Sequence, residues 1–400
     1  MSGLRDSKID RRLASRAAGM STNAIWDVLK DAKAPSVISL AGGIPALESF
    51  PIEKLNQTFE RVMEKYGPAV LQYDVTEGFA PLRSAIADEV KERGVAVAAD
   101  DVLVYSGSQS TLDICGKMLI SKGDKVACVD PTYLGALSAF APYEPDIIRL
   151  DTDEGGLIPE SLEQALEQHD IKLIYLIPTF QNPTGRTLSL ERRKTVAELI
   201  TRYDALLYED DPYSQLRYRG ERLPTIWSFA PERVIYASTF SKILMPGLRT
   251  GFAIAPEWLR PWLIIAKQGV DLHTSTLNQA LIAEFITSGD LETQIAEIVE
   301  LYKPRQEALL GALRASFPQN FKWQSPDGGM FVWVDGPQGF DAKALYREVI
   351  AKKVAFMPGS FFYAKEGDGL NTIRLNFTTQ NVADIERAVS ILSDCLKASI

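Results

Sequence analysis

The sequence predicts an α/β protein, with a mostly parallel, seven-stranded sheet covered by helices on both faces and a smaller α+β domain after it. Three observations support this prediction. The middle of the chain holds seven short apolar runs of strand length, and helix-like segments separate most of them. After about Gly289 the pattern changes to a long helical stretch with isolated strand-like runs. The composition, with 46% hydrophobic and 24% charged residues, is typical of a folded globular chain.

The elements of the central region follow from their periodicity. Between two of the strands, Leu190–Tyr203 is predicted to form an amphipathic helix, and Ser189 can accept a backbone hydrogen bond as its N-cap. Glu191 and Arg193 should face water, while the apolar side chains of this helix face the core. The seven predicted strands are Val102–Tyr105, Lys125–Asp130, Ile147–Leu150, Leu173–Ile177, Ala205–Glu209, Val234–Ala237 and Gly251–Ala255.

The two flanks are predicted to form other units. We expect a long helix over Leu291–Phe317 and a strand over Ile373–Phe377, where the charge of Arg374 requires a reason. A strand over Met330–Val334 and helices over Ala342–Ala351 and after Val382 complete this part. The predicted division is an N-terminal segment (1–50) that packs with the small domain or across a partner subunit, a large domain (51–290) and a small C-terminal domain (291–400).

Charge and composition exclude several classes of function. The chain has 43 basic and 52 acidic residues, a net charge of −9, so we expect no nucleic-acid partner. It has no apolar run long enough to span a bilayer and no secretory leader, so we expect no membrane association and a cytoplasmic location. Cys115, Cys128 and Cys395 are far apart and should be buried thiols, and with only two histidines we expect no metal site.

Polar residues follow several of the predicted strands, at the sheet edge where open α/β sheets bind ligands. Ser108 and Gln109 open a helix after one strand and could present backbone N–H groups to a phosphate, although a plain turn is equally compatible. Tyr133 follows the next strand, where an aromatic side chain more often packs than stacks on a ligand. Asn182 lies in a loop of prolines and glycine that could simply be a tight turn.

Charged residues follow two further strands. Asp210, between two other carboxylates and three residues before Tyr213, could belong to a hard-cation site or could be the charge partner of a buried base. Lys242 follows a run of hydroxyl residues and precedes Arg249. A lysine in such a position could be a solvated cation, or a buried nucleophilic amine that forms a Schiff base.

The order of these motifs is more specific than any one of them. The chain runs through Ser-Gln, Tyr, Asn-Pro-x-Gly, Asp-x-x-Tyr and Ser-x-Lys with a following Arg. In this order the chain resembles the fold type I pyridoxal-phosphate aminotransferases of class I/II, from about Met20 to the C-terminus. Within them it is similar to the branch of 2-aminoadipate and kynurenine aminotransferases and MocR-type regulators, through Ile38–Pro45, Gln72-Tyr73 with Gly78, and Tyr208–Tyr213.

The resemblance implies a cofactor, pyridoxal 5'-phosphate, and a role for each motif. Lys242 would bind it as a Schiff base and move the substrate proton as acid and base, and Asp210 would keep its ring nitrogen protonated. Arg374 would bind the substrate carboxylate, with Gly43 and Asn182 beside it. Asn182 and Tyr213 would bond to the ring oxygen and Tyr133 would stack on the ring. The residues implied to hold the phosphate are Ser108, Gln109, Thr239, Ser241, Arg249 and, from a neighbouring subunit, Tyr73.

The implied reaction is transamination between an amino acid (2-aminoadipate, aromatic or leucine-like) and a 2-oxo acid, 2-oxoglutarate, by a ping-pong mechanism in a homodimer. Arg16 could meet a distal substrate carboxylate, or could be a solvated tail residue. Two alternatives stay open at this point. A lyase, decarboxylase or synthase of the same fold would use the same Lys242 and Arg374. A MocR-type regulator is disfavoured by the acidic charge and the early position of Gly42-Gly43.

Overall fold

A seven-stranded sheet lies at the centre of the protein. The computed structural model describes residues 12–14, 16, 17, 28, 30–32 and 34–399. Its strands are β1 (Ile38–Ser39), β2 (Val102–Tyr105), β3 (Lys125–Val129), β4 (Asp146–Leu150), β5 (Thr152–Asp153), β6 (Gly156–Leu157), β7 (Ile171–Leu176), β8 (Leu207–Asp210), β9 (Val234–Thr239), β10 (Gly251–Ile254), β11 (Lys322–Trp323), β12 (Phe331–Asp335), β13 (Val354–Ala355), β14 (Met357–Pro358) and β15 (Thr372–Asn376).

The order of strands in the large sheet is β2-β10-β9-β8-β7-β3-β4. Strand β10 is antiparallel to both of its neighbours, and the other neighbouring pairs are parallel. The carboxyl ends of β2, β3, β7, β8 and β9 therefore meet at one edge, together with the amino end of β10. The prediction of a mostly parallel α/β sheet is confirmed.

Side chains alternate between two hydrophobic cores, one on each face of the sheet. On β7, Leu173 and Tyr175 belong to one core, whereas Ile174 and Leu176 belong to the other. A period of two is the geometry of a strand, and burial on both faces explains why these runs are almost continuously apolar.

Helices cover the sheet and build the rest of the chain. They are α1 (Ile52–Tyr66), α2 (Ala80–Lys91), α3 (Ser108–Leu119), α4 (Leu134–Phe140), α5 (Pro159–Gln168), α6 (Leu190–Arg202), α7 (Arg260–Asp271), α8 (Thr276–Thr287), α9 (Asp290–Ser316), α10 (Ala342–Ala351) and α11 (Val382–Ser399). Ser189 caps α6 as predicted, because its side chain accepts from the Arg192 backbone N–H at 3.2 Å.

One orientation predicted for α6 is wrong. Glu191 is exposed, but Arg193 is only 1% exposed. Its guanidinium donates to the carbonyl oxygens of Leu188, Pro178 and Pro224 and to the hydroxyl of Thr179. The burial of this guanidinium is tolerated because these acceptors replace water. The periodicity of the helix does not predict such contacts, since most of the acceptors belong to other segments.

A second, four-stranded antiparallel sheet forms in the C-terminal part, in the order β11-β12-β15-β14. Helices α9 and α11 pack against each other beside it. The N-terminal segment joins this region, since β1 pairs with β13 and the Asn376 backbone N–H donates to the Leu40 carbonyl at 2.8 Å. Arg374 lies inside β15, at its centre.

Three further expectations concerned the burial of the cysteines, membrane-spanning helices and metal sites. Cys115, Cys128 and Cys395 are all buried, as predicted. None of the helices within the described ranges has the length and apolar character needed to cross a membrane. In the same part of the chain, no group of three or more His, Cys, Asp or Glu side chains is arranged to hold a metal ion.

Candidate active site

The sheet edge described above gathers most of the residues singled out in the sequence. Most of them end a strand or follow one, Arg249 precedes β10, and two more residues reach the same place from the N-terminal segment and β15. The set consists of Ser108, Gln109, Tyr133, Asn182, Asp210, Tyr213, Thr239, Ser241, Lys242 and Arg249, with Gly43 and Arg374. The contacts of these residues show which of them lie together.

Lys242 lies three residues beyond β9, and its amino group points to the N-terminal segment. Its Nζ donates to the Gly43 carbonyl oxygen at 2.8 Å. Burial, with the positive charges of Arg374 and Arg249, lowers the pKa of Lys242 to about 8. At pH 7 roughly a tenth of this amine is therefore uncharged, against fewer than about one in a thousand at the usual lysine pKa, and the uncharged form is the one that attacks a carbonyl carbon.

Asp210 ends β8 and is buried. The Tyr175 hydroxyl donates to its Oδ2 at 2.8 Å, while Oδ1 has no hydrogen-bond partner among the described residues. Burial raises the pKa of Asp210 to about 7; the charge of Asp211 adds to this and the Tyr175 hydrogen bond opposes it. A buried carboxylate oxygen without a partner is uncommon, and it marks a place for a ligand donor.

Asn182, Tyr213 and Arg374 form a chain of hydrogen bonds. The Asn182 amide nitrogen donates to the Tyr213 hydroxyl at 3.4 Å. The amide oxygen of Asn182 accepts from Nη1 of Arg374 at 2.8 Å. This chain of hydrogen bonds brings together side chains from the loop after β7, from the residues after β8 and from β15, which the resemblance implied to lie in one site.

The guanidinium of Arg374 lies between two aromatic rings. Its Cζ is 4.2 Å from the ring centre of Phe331 and 4.7 Å from that of Phe362. Nη2 donates to the Ala41 carbonyl at 2.7 Å. No carboxylate of the described residues pairs with this charge, and burial lowers the pKa of Arg374 to about 10, so the group stays a cation at neutral pH.

The start of α3 and Arg249 approach each other closely. A side chain at Gly107, where φ is +91°, would place its Cβ 2.5 Å from Nη2 of Arg249, so only glycine fits. A Cβ at Gly251 would likewise lie 3.1 Å from the backbone nitrogen of Ser108. The N-terminus of a 12-residue helix and a guanidinium thus face the same space, which suits a phosphate.

The remaining residues of this subsite hold one another in place. The hydroxyls of Thr239 and Ser241 are 3.0 Å apart, and the Ser241 backbone N–H donates to Thr239 Oγ1 at 3.2 Å. The Gln109 amide donates to the Gly135 carbonyl at 2.8 Å. Strand β10 lies between these hydroxyls and β2, since Gly251 is opposite both Thr239 and Tyr105.

Tyr133 lies among the charged groups of the site. Burial raises the pKa of its hydroxyl, and the electrostatic effects of Asp210, Arg374 and Arg249 reach it as well. Its loop is tied to the loop of Asn182, because the Gln181 amide donates to the Pro131 carbonyl at 2.9 Å. Tyr133 thus lies within electrostatic range of Asp210, Arg374 and Arg249.

Two residues implied by the resemblance are not part of this cluster in the single chain. The Tyr73 ring is 78% exposed and contacts the His273 ring edge-on at 5.7 Å. It forms no hydrogen bond or ring contact with another implied site residue in the part of the chain that the structure describes. Arg16 is exposed, and its charge acts on Tyr143, outside the cluster.

Sequence reasoning missed four residues of the site: Tyr175, Phe331, Phe362 and Ala41. Tyr175 could have been found, because it lies on the strand beside β8 and on the same face as Asp210. The two phenylalanines carry no local signal, since each belongs to the separate C-terminal sheet region. The contact of Ala41 is made by its backbone, which side-chain patterns do not report.

The residues present fit pyridoxal phosphate. The unpaired Oδ1 of buried Asp210 lacks the donor that a protonated ring nitrogen would provide. The amine of Lys242, with its lowered pKa, is suited to Schiff-base formation. The close approach of Arg249 to the start of α3 provides the anion site that a phosphate needs.

Comparison with known proteins agrees with this site. The model of the aminotransferase class I and II family matches residues 35–392, and the chain belongs to that family. A relative named aromatic-amino-acid aminotransferase 1, from Thermococcus litoralis, is 42% identical, and the alignment covers 97% of this chain and 94% of the relative. A 2-aminoadipate transaminase of Thermus thermophilus is 38% identical over 95% of each chain.

A solved structure is similar over nearly the whole length. It is the kynurenine aminotransferase of Pyrococcus horikoshii in complex with PMP, which is 39% identical with a TM-score of 0.94 and 98% of each chain covered. The protein is therefore a fold type I, pyridoxal-phosphate-dependent aminotransferase, and it acts on an amino acid and a 2-oxo acid.

Proposed function

We propose that the protein transfers the amino group of 2-aminoadipate or of an aromatic or leucine-like L-amino acid to 2-oxoglutarate, in a ping-pong reaction. One observation carries the proposal: the buried guanidinium of Arg374 shares a site with Lys242 and pairs with no carboxylate of the described residues. Amino acids and 2-oxo acids share the carboxylate that such a group binds. The names of the relatives support the aminoadipate and aromatic donors.

Arg374 is the residue we assign to the substrate α-carboxylate. A guanidinium has five N–H groups. Two of them donate to Asn182 and Ala41, which leaves three, including the unpartnered Nε–H. The rings of Phe331 and Phe362 hold the plane of the group, so these N–H groups keep a fixed direction for a paired contact. Gly43 lies beside this place, since a Cβ there would be 3.9 Å from Nη2 of Arg374.

Lys242 is assigned the covalent attachment and the proton transfer at the substrate Cα. When bound, pyridoxal phosphate supplies an aldehyde that accepts the amino group and a ring that withdraws electrons from Cα. The lowered pKa lets Lys242 accept a proton near neutral pH and return it. The Gly43 carbonyl orients the amine in the free site.

Four side chains are assigned to the ring of the cofactor. Asp210 would face the ring nitrogen with Oδ1, and its negative charge favours the protonated nitrogen. Asn182 and Tyr213, already hydrogen-bonded to each other, would donate to the ring oxygen. Tyr133 would stack on the ring face.

The phosphate is assigned to the cluster at the start of α3. Backbone N–H groups there point along the helix dipole toward the space that Arg249 also faces. Hydroxyls and an amide add further donors. The assigned residues are Ser108, Gln109, Thr239, Ser241 and Arg249.

A homodimer completes the proposal. The residues Leu71, Tyr73, Val75, Val270 and Leu272 are each about half or more exposed, and we refer to them as the apolar patch. The Tyr73–His273 ring contact joins its two segments. Exposed apolar side chains that cluster in this way are typical of a protein interface. Tyr73 would cross this interface to the phosphate of the partner subunit's cofactor.

The domain boundaries and the location are also part of the proposal. The large domain (51–290) contains the whole seven-stranded sheet, and the small domain (291–400) contains the four-stranded one. Residues 1–50 are assigned to an N-terminal segment, and its described part packs with the small domain through β1 and β13, whereas most of residues 1–33 lie outside the described residues. Buried thiols at all three cysteines suit the reducing cytoplasm.

The experiment is a matrix of amino acid donors against 2-oxo acid acceptors, with initial rates measured for each pair. Aminoadipate, aromatic amino acids and leucine should give parallel double-reciprocal lines with 2-oxoglutarate, as a ping-pong reaction requires. The variant Arg374→Lys should lower kcat/KM about 100-fold for every pair, because the fork of donors is lost. Arg202→Lys, on the exposed end of α6, is the matched control and should leave the rates unchanged.

Two results would count against the proposal. One is a protein that releases carbon dioxide or ammonia from these amino acids faster than it transfers their amino group. The other is an Arg374→Lys variant that changes the rate for only some donors, since the α-carboxylate is common to all.

A further inference from the structure

We propose that Tyr175 is a positioning residue for Asp210: its hydroxyl fixes one carboxylate oxygen and turns the other toward the cofactor ring. The inference rests on the role proposed above for Asp210. It adds to that role a residue outside the motifs, on a different strand, which determines how the carboxylate is presented.

The sheet register brings the two residues together. Tyr175 on β7 lies directly opposite Tyr208 on β8, and Asp210 lies two residues further along β8, on the same face. A side chain can reach such a diagonal neighbour when it is as long as tyrosine. The Tyr175 hydroxyl does so, and donates to Asp210 Oδ2 at 2.8 Å.

Packing leaves this hydroxyl no other direction. Tyr175 is 1% exposed, its ring contacts Phe140 edge-on at 6.2 Å, and the ring of Tyr208 lies 5.8 Å away. Burial raises the pKa of Tyr175 well above the usual value, so the hydroxyl keeps its proton and acts as a donor. The ring is therefore held in place, and among the described residues the Asp210 carboxylate is the only acceptor of this hydroxyl.

Asp210 depends on this one donor. Among the described residues, no other side chain or backbone group donates to either of its oxygens. A hydrogen bond to the ionised form favours that form. With Oδ2 occupied by Tyr175, the ionised form of the carboxylate is favoured and Oδ1 is held in one orientation, so a proton on the ring nitrogen of the bound cofactor would be favoured over one on the carboxylate.

The test compares Tyr175→Phe with Tyr208→Phe. Both changes remove a buried phenol hydroxyl from the same ring cluster and keep the ring, but the Tyr208 hydroxyl lies beside Thr111 and does not donate to Asp210. The first measurement uses cofactor-free protein labelled with carboxyl-¹³C aspartate, in which the Asp210 signal is assigned by its loss in Asp210→Asn. Tyr175→Phe should move the Asp210 titration up by about one pH unit, and Tyr208→Phe should not move it.

The second measurement uses holoenzyme loaded with ¹⁵N-labelled pyridoxal phosphate. In Tyr175→Phe the ring ¹⁵N resonance should move toward the unprotonated position, and kcat should fall about ten-fold with KM little changed. Replacement of Tyr175 by 3-fluorotyrosine keeps the hydroxyl and makes it a stronger donor. It should move the Asp210 titration in the opposite direction, which keeps the inference testable if Tyr175→Phe does not fold.

The outcomes separate this inference from the proposed function. If Asp210→Asn abolishes the protonated ¹⁵N signal while Tyr175→Phe behaves as wild type, Asp210 keeps its role and the inference about Tyr175 is wrong. Equal effects of Tyr175→Phe and Tyr208→Phe would also overturn it, since the effect would then come from packing. If Asp210→Asn leaves the ring nitrogen protonated, the role of Asp210 itself fails.

Discussion

The amino group of Lys242 lies near two arginines that no carboxylate of the described residues neutralises. Both charges, together with burial, disfavour its protonated form and bring its pKa to about 8. Lys267, a buried lysine of the same domain, has a different environment. Burial lowers its pKa too, but its amino group pairs with the Asp271 carboxylate at 2.6 Å. The chemical environment therefore distinguishes the reactive lysine from a structural one.

We predict that Lys242 carries the cofactor. Borohydride reduction of the holoenzyme followed by peptide mapping should place the pyridoxyl group on Lys242 and not on Lys267. In cofactor-free protein the rate of pyridoxal phosphate capture should rise with pH and level off above about pH 8, since the uncharged amine reacts. A label at any other lysine would show that the assignment is wrong.

Asp210 and Asp211 are neighbours in the sequence but have different surroundings. The Asp211 carboxylate accepts from the hydroxyls of Ser214 and Tyr236 at 2.7 and 2.8 Å, and Arg93 lies 3.6 Å away. Its hydrogen-bonding capacity is largely used within the fold, whereas Asp210 keeps one oxygen unpaired. The difference indicates a structural role for Asp211 and a ligand-facing role for Asp210.

The two aspartates should accordingly respond differently to replacement by alanine. Asp210→Ala should retain the cofactor through its phosphate and lower kcat by about a thousand-fold, because the ring loses its protonation partner. Asp211→Ala should mainly lower the free energy of unfolding, by about 2 kcal/mol, because buried donors lose their acceptor. Cofactor titration, steady-state rates and urea unfolding of both variants provide the check. An active Asp210→Ala beside an inactive Asp211→Ala would reverse the assignment.

Helix α6 shows both what periodicity can predict and where it stops. Its start, its cap at Ser189 and its apolar face could be predicted, because each depends on neighbours in the sequence. The burial of Arg193 could not, since its acceptors come from the loop after β7 and from Pro224. The helix thus anchors the loop that presents Asn182.

Removing this anchor should cost stability. Arg193→Met leaves several buried oxygen acceptors without a donor and should lower the free energy of unfolding by ~3 kcal/mol or more. Arg202→Met, at the exposed end of the same helix, breaks one surface ion pair and should cost under about 1 kcal/mol. Urea denaturation of both variants measures the difference. Equal losses would mean that the hydrogen bonds of Arg193 contribute no more than a surface contact.

The site was predictable from the sequence to the extent that it is built from strand ends. Lys242, Asp210 and Asn182 each follow a strand of the one sheet, so their order in the chain predicts that they meet. The aromatic rings around Arg374 come from the second sheet region. Their contact with Arg374 depends on tertiary packing, which local sequence patterns do not predict. The antiparallel direction of β10 could not be predicted either, because a run of four apolar residues does not indicate which way a strand runs in its sheet.

The apolar patch is the surface through which we propose that two chains associate. Tyr73 lies in it, exposed, and its ring contact among the described residues is with His273 and not with another implied phosphate residue. If a second chain covers the patch, each phosphate site needs both subunits. A mixed dimer with Lys242→Ala in one subunit and Tyr73→Phe in the other tests this arrangement.

The activity expected of the mixed dimer depends on how many of its two active sites are intact. When Tyr73 acts across the interface, both defects fall on one site of the mixed dimer and the other site is intact, so about half of the wild-type activity should remain. When it acts within its own chain, one site lacks the lysine and the other lacks the tyrosine hydroxyl, and neither reaches wild-type kinetics. The second result, or a fully active monomer in sedimentation, would contradict the proposed dimer.

The place of β10 in the sheet also bears on how the chain is made. Strand β2 is at the edge of the sheet and, among the described strands, pairs only with β10, with Tyr105 opposite Gly251 and more than a third of the chain between them. During synthesis on the ribosome, β2 is therefore made long before β10. Until β10 is made, the backbone groups of β2 have no strand to pair with. The start of α3 and Arg249 come together only when β10 has been added, so, in the phosphate assignment proposed above, a nascent chain would bind the phosphate only after that strand emerges.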